Sequence, residues 1–192
     1  RVILILTQRS RTKTVSMPND TTPSIADALD KVRNRIALAA HAANRDPADI
    51  TLVAVSKTKP VALVRDALDH GQRDFGENYL QDALAKIDAL TEREPLWHFI
   101  GDIQSNKTRD IARNFQWVHA VDRLRIANRL NDQRPHNCPP LNVCLQVNQA
   151  GEAQKAGVRE SDVSTLAREV MSLSRLRLRG LMTLPPANAD PN

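Results

Sequence analysis

From Thr51 onward one alternation repeats along the chain: a short apolar run, then a stretch with apolar residues at helical spacing, then another apolar run. The apolar runs are "TLVAVSK" (51–57), "DFGEN" (74–78), "WHFIG" (97–101), "WVHAV" (117–121), "LNVCLQVN" (141–148) and "LRGLMTL" (178–184). Between them lie "VALVRDALDH", "YLQDALAKIDAL", "SNKTRDIARN", "RLRIANRLN" and "SDVSTLAREVMSL". In the second of these stretches, Leu80, Leu84 and Ile87 recur on one helical face. A further helix precedes the series over 24–44, where Ile25, Leu29, Val32, Ile36 and Ala40 share a face, with Thr22-Pro23 as its start signal. Strands alternating with helices through short links form βαβ units and a parallel sheet.

Two architectures satisfy that pattern. No GxGxxG follows a strand and no GxxxxGK[ST] is present, so neither nucleotide fingerprint applies. An open doubly wound sheet and a (β/α) barrel both fit. A barrel closes with eight strands, over about 250 residues. Six strands in 192 residues predict either an open sheet or a barrel with two units missing after the breaker-rich "PPANADPN" (185–192).

Composition narrows the class. Apolar residues make up 41% and charged residues 26%, while aromatics are only 3%, so the core has to be aliphatic. The net charge of +5 raises nucleic-acid binding, but its location argues against it. Residues 1–16 hold Arg1, Arg9, Arg11 and Lys13 and no acid; without them 23 basic side chains face 22 acidic ones. The leader's apolar run, Val2–Leu6, is too short for a secretory core of about 7–15 residues or a span of about 20. Its Arg- and Ser/Thr-rich composition also fits a mitochondrial presequence. Our reading makes Met17 the natural start and residues 1–16 an extraneous or disordered leader before a domain over 17–192. No membrane, no nucleic acid and a cytoplasmic location are the expectation. Cys138 and Cys144 make no disulfide framework, and Cys144, inside a strand pattern, is read as a small core residue.

In parallel α/β folds the reactive groups gather at the C-terminal ends of strands. Those positions hold Lys57, Glu77-Asn78, Gly101, Asp122, Asn148 and Met182-Thr183. Strand parity puts Lys57 on the face of Val53 and Val55. If the extended chain continues, Lys59 joins that face. A lysine held there loses hydration, which favours the neutral amine that attacks a carbonyl to form an imine. A lysine at a strand end also sits well in solvent with its stem over apolar neighbours, and spacing alone leaves both readings open. His98 and His119 have too few companions for a metal site and read as satisfied core histidines. The arginines of "RLRLRG" (175–180) are expected to alternate outward.

Several blocks then resemble one family. "AVSKTKP", "FGENYLQDALAKI", "WHFIGDIQSNK", "VHAVDRLRIANRLN", "LNVCLQVNQAGEAQKAG" and "LRLRGLMTLP" are similar, in order and spacing, to successive blocks of the pyridoxal phosphate homeostasis protein family, relatives of the alanine racemase N-terminal barrel. The resemblance implies a (β/α)8 TIM barrel of which this chain carries about six βα units. It implies pyridoxal 5′-phosphate as cofactor, held as a Schiff base on Lys57, with Asn78, Lys155 and Met182 as further cofactor-binding residues. It also implies a monomer that buffers the cofactor and delivers it to PLP-dependent apo-enzymes, without substrate turnover. Asp102 departs from the small or apolar residue that many relatives carry. The resemblance places the cofactor phosphate on strands seven and eight of the family's barrel.

The competing function is a PLP-dependent amino-acid racemase on the same barrel. That reaction needs acid/base groups on both faces of the substrate carbon. The single tyrosine, Tyr79, reads as a packing residue, so binding is favoured over catalysis.

Overall fold

The structure is a computed structural model that describes residues 2–6, 24–148 and 156–184. It divides into two compact units, Arg1–Gly76 with Ala85–Pro95, and Glu77–Leu84 with Leu96–Asn192. Of the sequence-based expectations, the Thr22-Pro23 start signal, Lys155 and "PPANADPN" lie outside the described residues.

The first unit contains β1 (Val2–Leu6), α1 (Ile25–Ala42), β2 (Ile50–Val55), α2 (Val61–Asp69), most of β3 (Asp74–Glu77) and the second half of α3 (Leu80–Ala89). Helix α1 is capped by Ser24, whose hydroxyl accepts from the Asp27 N–H at 3.1 Å while the Asp27 carboxylate accepts from the Ser24 N–H at 3.3 Å. This reciprocal arrangement satisfies two of the helix's otherwise unpaired donors. The side chains of Leu29 and Ala40 are buried, as are Val53 on β2 and Val64, Ala67 and Leu68 on α2. Helix α2 stops at His70, and Gly71 takes φ 77° to turn the chain, a conformation glycine adopts without steric cost. The C-terminal end of α2 is tied to α1 by the Arg33 guanidinium, which donates to the His70 carbonyl at 3.0 Å.

Strands β1 and β2 pair in parallel from Val2↔Ile50 to Leu6↔Ala54, and β2 pairs in parallel with β3 at Ala54↔Phe75 and Val55↔Gly76. The β1 strand corrects the sequence reading, which gave residues 1–16 no element and counted six strands. "VILIL" is rich in β-branched residues, and pairing satisfies the row of N–H and C=O groups that an edge strand leaves open.

The second unit contains β4 (Leu96–Phe99), α4 (Thr108–Asn114), β5 (Trp117–Val121), α5 (Leu124–Gln133), β6 (Leu141–Val147), α6 (Val163–Met171) and β7 (Leu176–Thr183). All pairings are parallel and follow chain order: β4 with β5, β5 with β6, β6 with β7. Strands covered on both faces should read as continuous apolar runs, and β6 does: Leu141, Val143, Cys144 and Leu145 are all buried. The helices bury Ile111 and Ala112 on α4, Ile126, Ala127 and Leu130 on α5, and Leu166 and Val170 on α6. Phe99 and Phe115 meet edge to face with centroids 5.3 Å apart. Buried Arg134 closes the end of α4, donating to the carbonyls of Ala112 at 2.6 Å and Phe115 at 2.9 Å and to Pro139 at 2.8 Å. Charge-assisted bonds of this kind offset the desolvation of the guanidinium; burial still lowers its pKa, with Cys138 acting against that and Arg175 with it. Along β7, Arg177 and Arg179 are exposed as expected, whereas Arg175, just before the strand, is half-buried and donates to the Cys138 carbonyl at 2.9 Å.

Candidate functional site

Strand β2 ends at Val55, two residues before Lys57. The Lys59 N–H donates to the Ser56 carbonyl at 3.0 Å, so Ser56–Lys59 is a tight turn with Lys57 at its second position. The third position is Thr58, with φ 60°. A β-branched residue in the left-handed region is strained, by about 1–3 kcal/mol. The extended continuation that would have put Lys59 on the face of Lys57 is therefore broken: Lys57 follows the strand on a turn, half-buried, and Lys59 is exposed.

The turn is anchored on three sides. The Ser56 N–H donates to the Gly76 carbonyl of β3 at 3.0 Å. The Ser56 carbonyl accepts from Lys59 and also from the Lys86 ammonium at 2.7 Å. Lys86 is only 2% exposed, because it belongs to the buried stripe of α3 together with Leu80, Ala83 and the following Leu90. Sequence reasoning put Leu84 and Ile87 on that stripe; both are half-buried, and Lys86 went unnoticed. Among the described residues the Lys57 amine has no hydrogen-bond or ion-pair partner.

In the second unit Asn78 follows the end of β3. Its backbone is clamped by Gly101, where a Cβ would stand 2.4 Å from the Asn78 carbonyl oxygen and 2.9 Å from its Cα. The Ile100 N–H donates to the Glu77 carbonyl at 2.9 Å, which holds the two segments at that distance. Among the described residues the Asn78 Oδ1 is buried without a partner. An acceptor in that state carries a desolvation penalty until a donor reaches it, so it is prepared for a ligand's hydroxyl or N–H. Met182 is half-buried on β7, opposite Gln146 of β6. Lys155 is outside the described residues, but the chain just after it is pinned to the end of β6. Gln146 Nε2 donates to the Ala156 carbonyl at 3.0 Å and the Asn148 N–H to the Val158 carbonyl at 2.9 Å. Gly157 permits this with φ 131°, since a Cβ there would lie 2.6 Å from the Asn148 nitrogen.

Beneath the strand ends of this unit His98 and His119 are buried and bonded to each other, Nδ1 to Nε2 at 2.9 Å. The ring of Trp117 stacks on His98 with centroids 5.4 Å apart, and the Arg179 guanidinium lies over the Trp117 ring at 5.8 Å from its centroid. Burial first, and the neighbouring His98 second, push the His119 pKa down to about 3. These are core histidines, as the sequence implied, and among the described residues no group of three or more His, Cys, Asp or Glu is placed to hold a metal. Cys144 is likewise a core residue, its thiol pKa raised by burial to about 11. A groove of about 460 Å³ in the first unit, bordered by Arg33, Ile50, Gln72 and Arg73, lies toward the start of β2, at the wrong end of the strand for the Lys57 amine. Among the described residues no helix is long and apolar enough to cross a membrane.

Parallel βα units with polar groups at the strand ends fit an α/β barrel, and the class is given by the family profile of the alanine racemase N-terminal domain, which matches residues 28–192. Over 167 residues the chain is 59% identical to the pyridoxal phosphate homeostasis protein of Pseudomonas aeruginosa, covering 87% of this chain and 73% of that one. It is 50% identical over 169 residues to the protein of that name from Escherichia coli K12, covering 86% and 72%. The chain belongs to the pyridoxal phosphate homeostasis protein family. Among solved structures, PipY of Synechococcus elongatus PCC7942 with PLP bound superposes with a TM-score of 0.74 at 34% identity, covering 86% of this chain and 73% of that one. Alanine racemase from E. faecalis superposes at 0.62 with 17% identity, covering 83% and 42%, a likeness of fold alone. The fold class is therefore α/β, a partial TIM barrel of the alanine racemase N-terminal type.

Proposed function

We propose that this chain binds pyridoxal 5′-phosphate and takes part in its intracellular homeostasis, carrying it as a Schiff base on Lys57 without turning over a substrate of its own. The observation that carries this reading is the Lys57 amine itself: half-buried, at the C-terminal end of a parallel strand, on an anchored turn, and without a partner among the described residues. Relatives at 59% and 50% identity bear the name of pyridoxal phosphate homeostasis protein, and PipY is known with PLP bound. The residues present fit the group. When bound, the cofactor supplies an aldehyde that condenses with a primary amine. Lys57 provides that amine; in the second unit the Asn78 Oδ1, buried and without a partner among the described residues, is an acceptor suited to a donor of the cofactor. Gly101 holds Asn78 in place, and Met182 and Lys155 complete the set of cofactor-binding residues in our reading.

The same reading makes the protein a cytoplasmic monomer that passes the cofactor to PLP-dependent apo-enzymes. Absorbance titration with pyridoxal phosphate tests the binding. The wild-type chain develops a saturable imine band with one equivalent of ligand, and Lys57→Ala does not. An equal band in Lys57→Ala refutes the assignment. Transfer is tested by incubating the loaded protein with an apo-enzyme behind a trap for free aldehyde; recovery of apo-enzyme activity no faster than from the trapped free cofactor rules delivery out.

A further inference from the structure

The role of Lys86 follows from where its nitrogen ends. A lysine on the buried stripe of a helix takes an ammonium out of water, which no helix needs for packing. Here the ammonium donates to a backbone atom of the first unit, the Ser56 carbonyl, at 2.7 Å. That carbonyl is the residue directly before Lys57, and it is also the acceptor that closes the Ser56–Lys59 turn. The turn needs such help, because its third residue is Thr58 in the left-handed region, where a β-branched side chain resists the geometry. An unassisted turn of this sequence relaxes toward negative φ at Thr58, and the relaxation swings Lys57 at the adjacent position.

We infer that Lys86 is a positioning residue for the Lys57 amine: its ammonium clamps the Ser56 carbonyl and so holds the strained turn that aims Lys57. The inference rests on the proposed role of Lys57 as the imine-forming residue. Lys86 itself forms no bond to the cofactor. It acts through the charge-assisted hydrogen bond to the Ser56 carbonyl, and loss of such a bond is worth about tenfold or more in an equilibrium constant.

The test uses the full chain, pyridoxal phosphate as the probe, and three variants: Lys86→Met, Thr58→Gly and the double variant. Lys86→Met keeps the apolar stem and removes the donor. It is expected to weaken imine formation about tenfold, while the borohydride-trapped adduct stays on the peptide containing Lys57. In the same variant the Lys59 amide should exchange with solvent about tenfold faster, and the amides of Val53 and Val55 should not change. Glycine adopts φ near +60° freely, so Thr58→Gly alone should bind as wild type. The double variant should recover most of the lost affinity. That rescue separates positioning from a general packing defect, which glycine at an exposed turn cannot repair. Unchanged affinity in Lys86→Met, or a double variant no better than the single one, overturns the inference. Lys57→Ala is run in parallel, so a failure of the Lys57 assignment shows itself separately as an adduct that persists. If Lys86→Met does not fold, Lys86→Gln replaces it with the same readouts, its amide being one bond too short for the Ser56 carbonyl.

Discussion

Acidification should unfold this protein through one identifiable side chain, His119. Buried against His98, it stays neutral in the folded chain down to about pH 3, against an ordinary value of 6.5. Between those limits the unfolded chain binds a proton that the folded chain refuses. Stability therefore falls as pH drops through 6.5 and goes on falling until about 3. At about 1.4 kcal/mol per pH unit the whole window is worth about 5 kcal/mol, of which about 2 kcal/mol is lost between pH 7 and pH 5. The perturbation is His119→Gln, which keeps a hydrogen-bonding amide toward His98 and removes the titration. Urea unfolding at pH 7 and pH 5 gives the free energies, and the fluorescence of the two tryptophans, buried Trp97 and Trp117 stacked on both imidazoles, reports the transition. Wild type should lose about 2 kcal/mol more than His119→Gln between the two pH values. Equal losses in the two proteins would refute the argument.

Three further outcomes are expected. Gly101→Ala places a methyl group 2.4 Å from the Asn78 carbonyl oxygen; the backbone has to move, costing about 1–3 kcal/mol in stability and lowering pyridoxal phosphate affinity, both measurable by denaturation and titration. Arg134→Met removes the donor to the Ala112, Phe115 and Pro139 carbonyls and should destabilise by about 3 kcal/mol in urea unfolding. Cys144, buried and with its thiol pKa raised to about 11, should resist alkylation of the native chain at pH 8, where Cys138, half-buried, takes up the label; mass spectrometry of the two peptides decides it.

How much of this was legible in the sequence depends on the range of the interaction involved. The βα alternation is local, and the six apolar runs all became strands, β2 to β7. The strand-end position of Lys57 followed from the same pattern. Its turn did not, because Thr58 carries no sign of a positive φ; the backbone adopts it under bonds from Gly76 and Lys86, residues 20 and more positions away. Lys86 was hidden for a different reason. A lysine in a helical pattern reads as solvent-facing, and only its spacing from Leu80, Ala83 and Leu90 marked it as part of the buried stripe. Ser24 caps α1 because Asp27 stands three residues after it, a spacing present in the sequence. Val2–Leu6 becomes a strand by pairing with β2, some 48 positions away, a partner that the short run itself does not announce. The clamp of Gly101 on Asn78 depends on two strand ends meeting and has no local signal.

The most direct test of the central claim is chemical. The chain is saturated with pyridoxal phosphate, reduced with borohydride, digested, and the modified peptide is sequenced by mass spectrometry. One adduct per chain on Lys57, lost in Lys57→Ala, is the predicted result. An adduct spread over exposed lysines such as Lys59, or one fixed on any residue other than Lys57, would contradict the account.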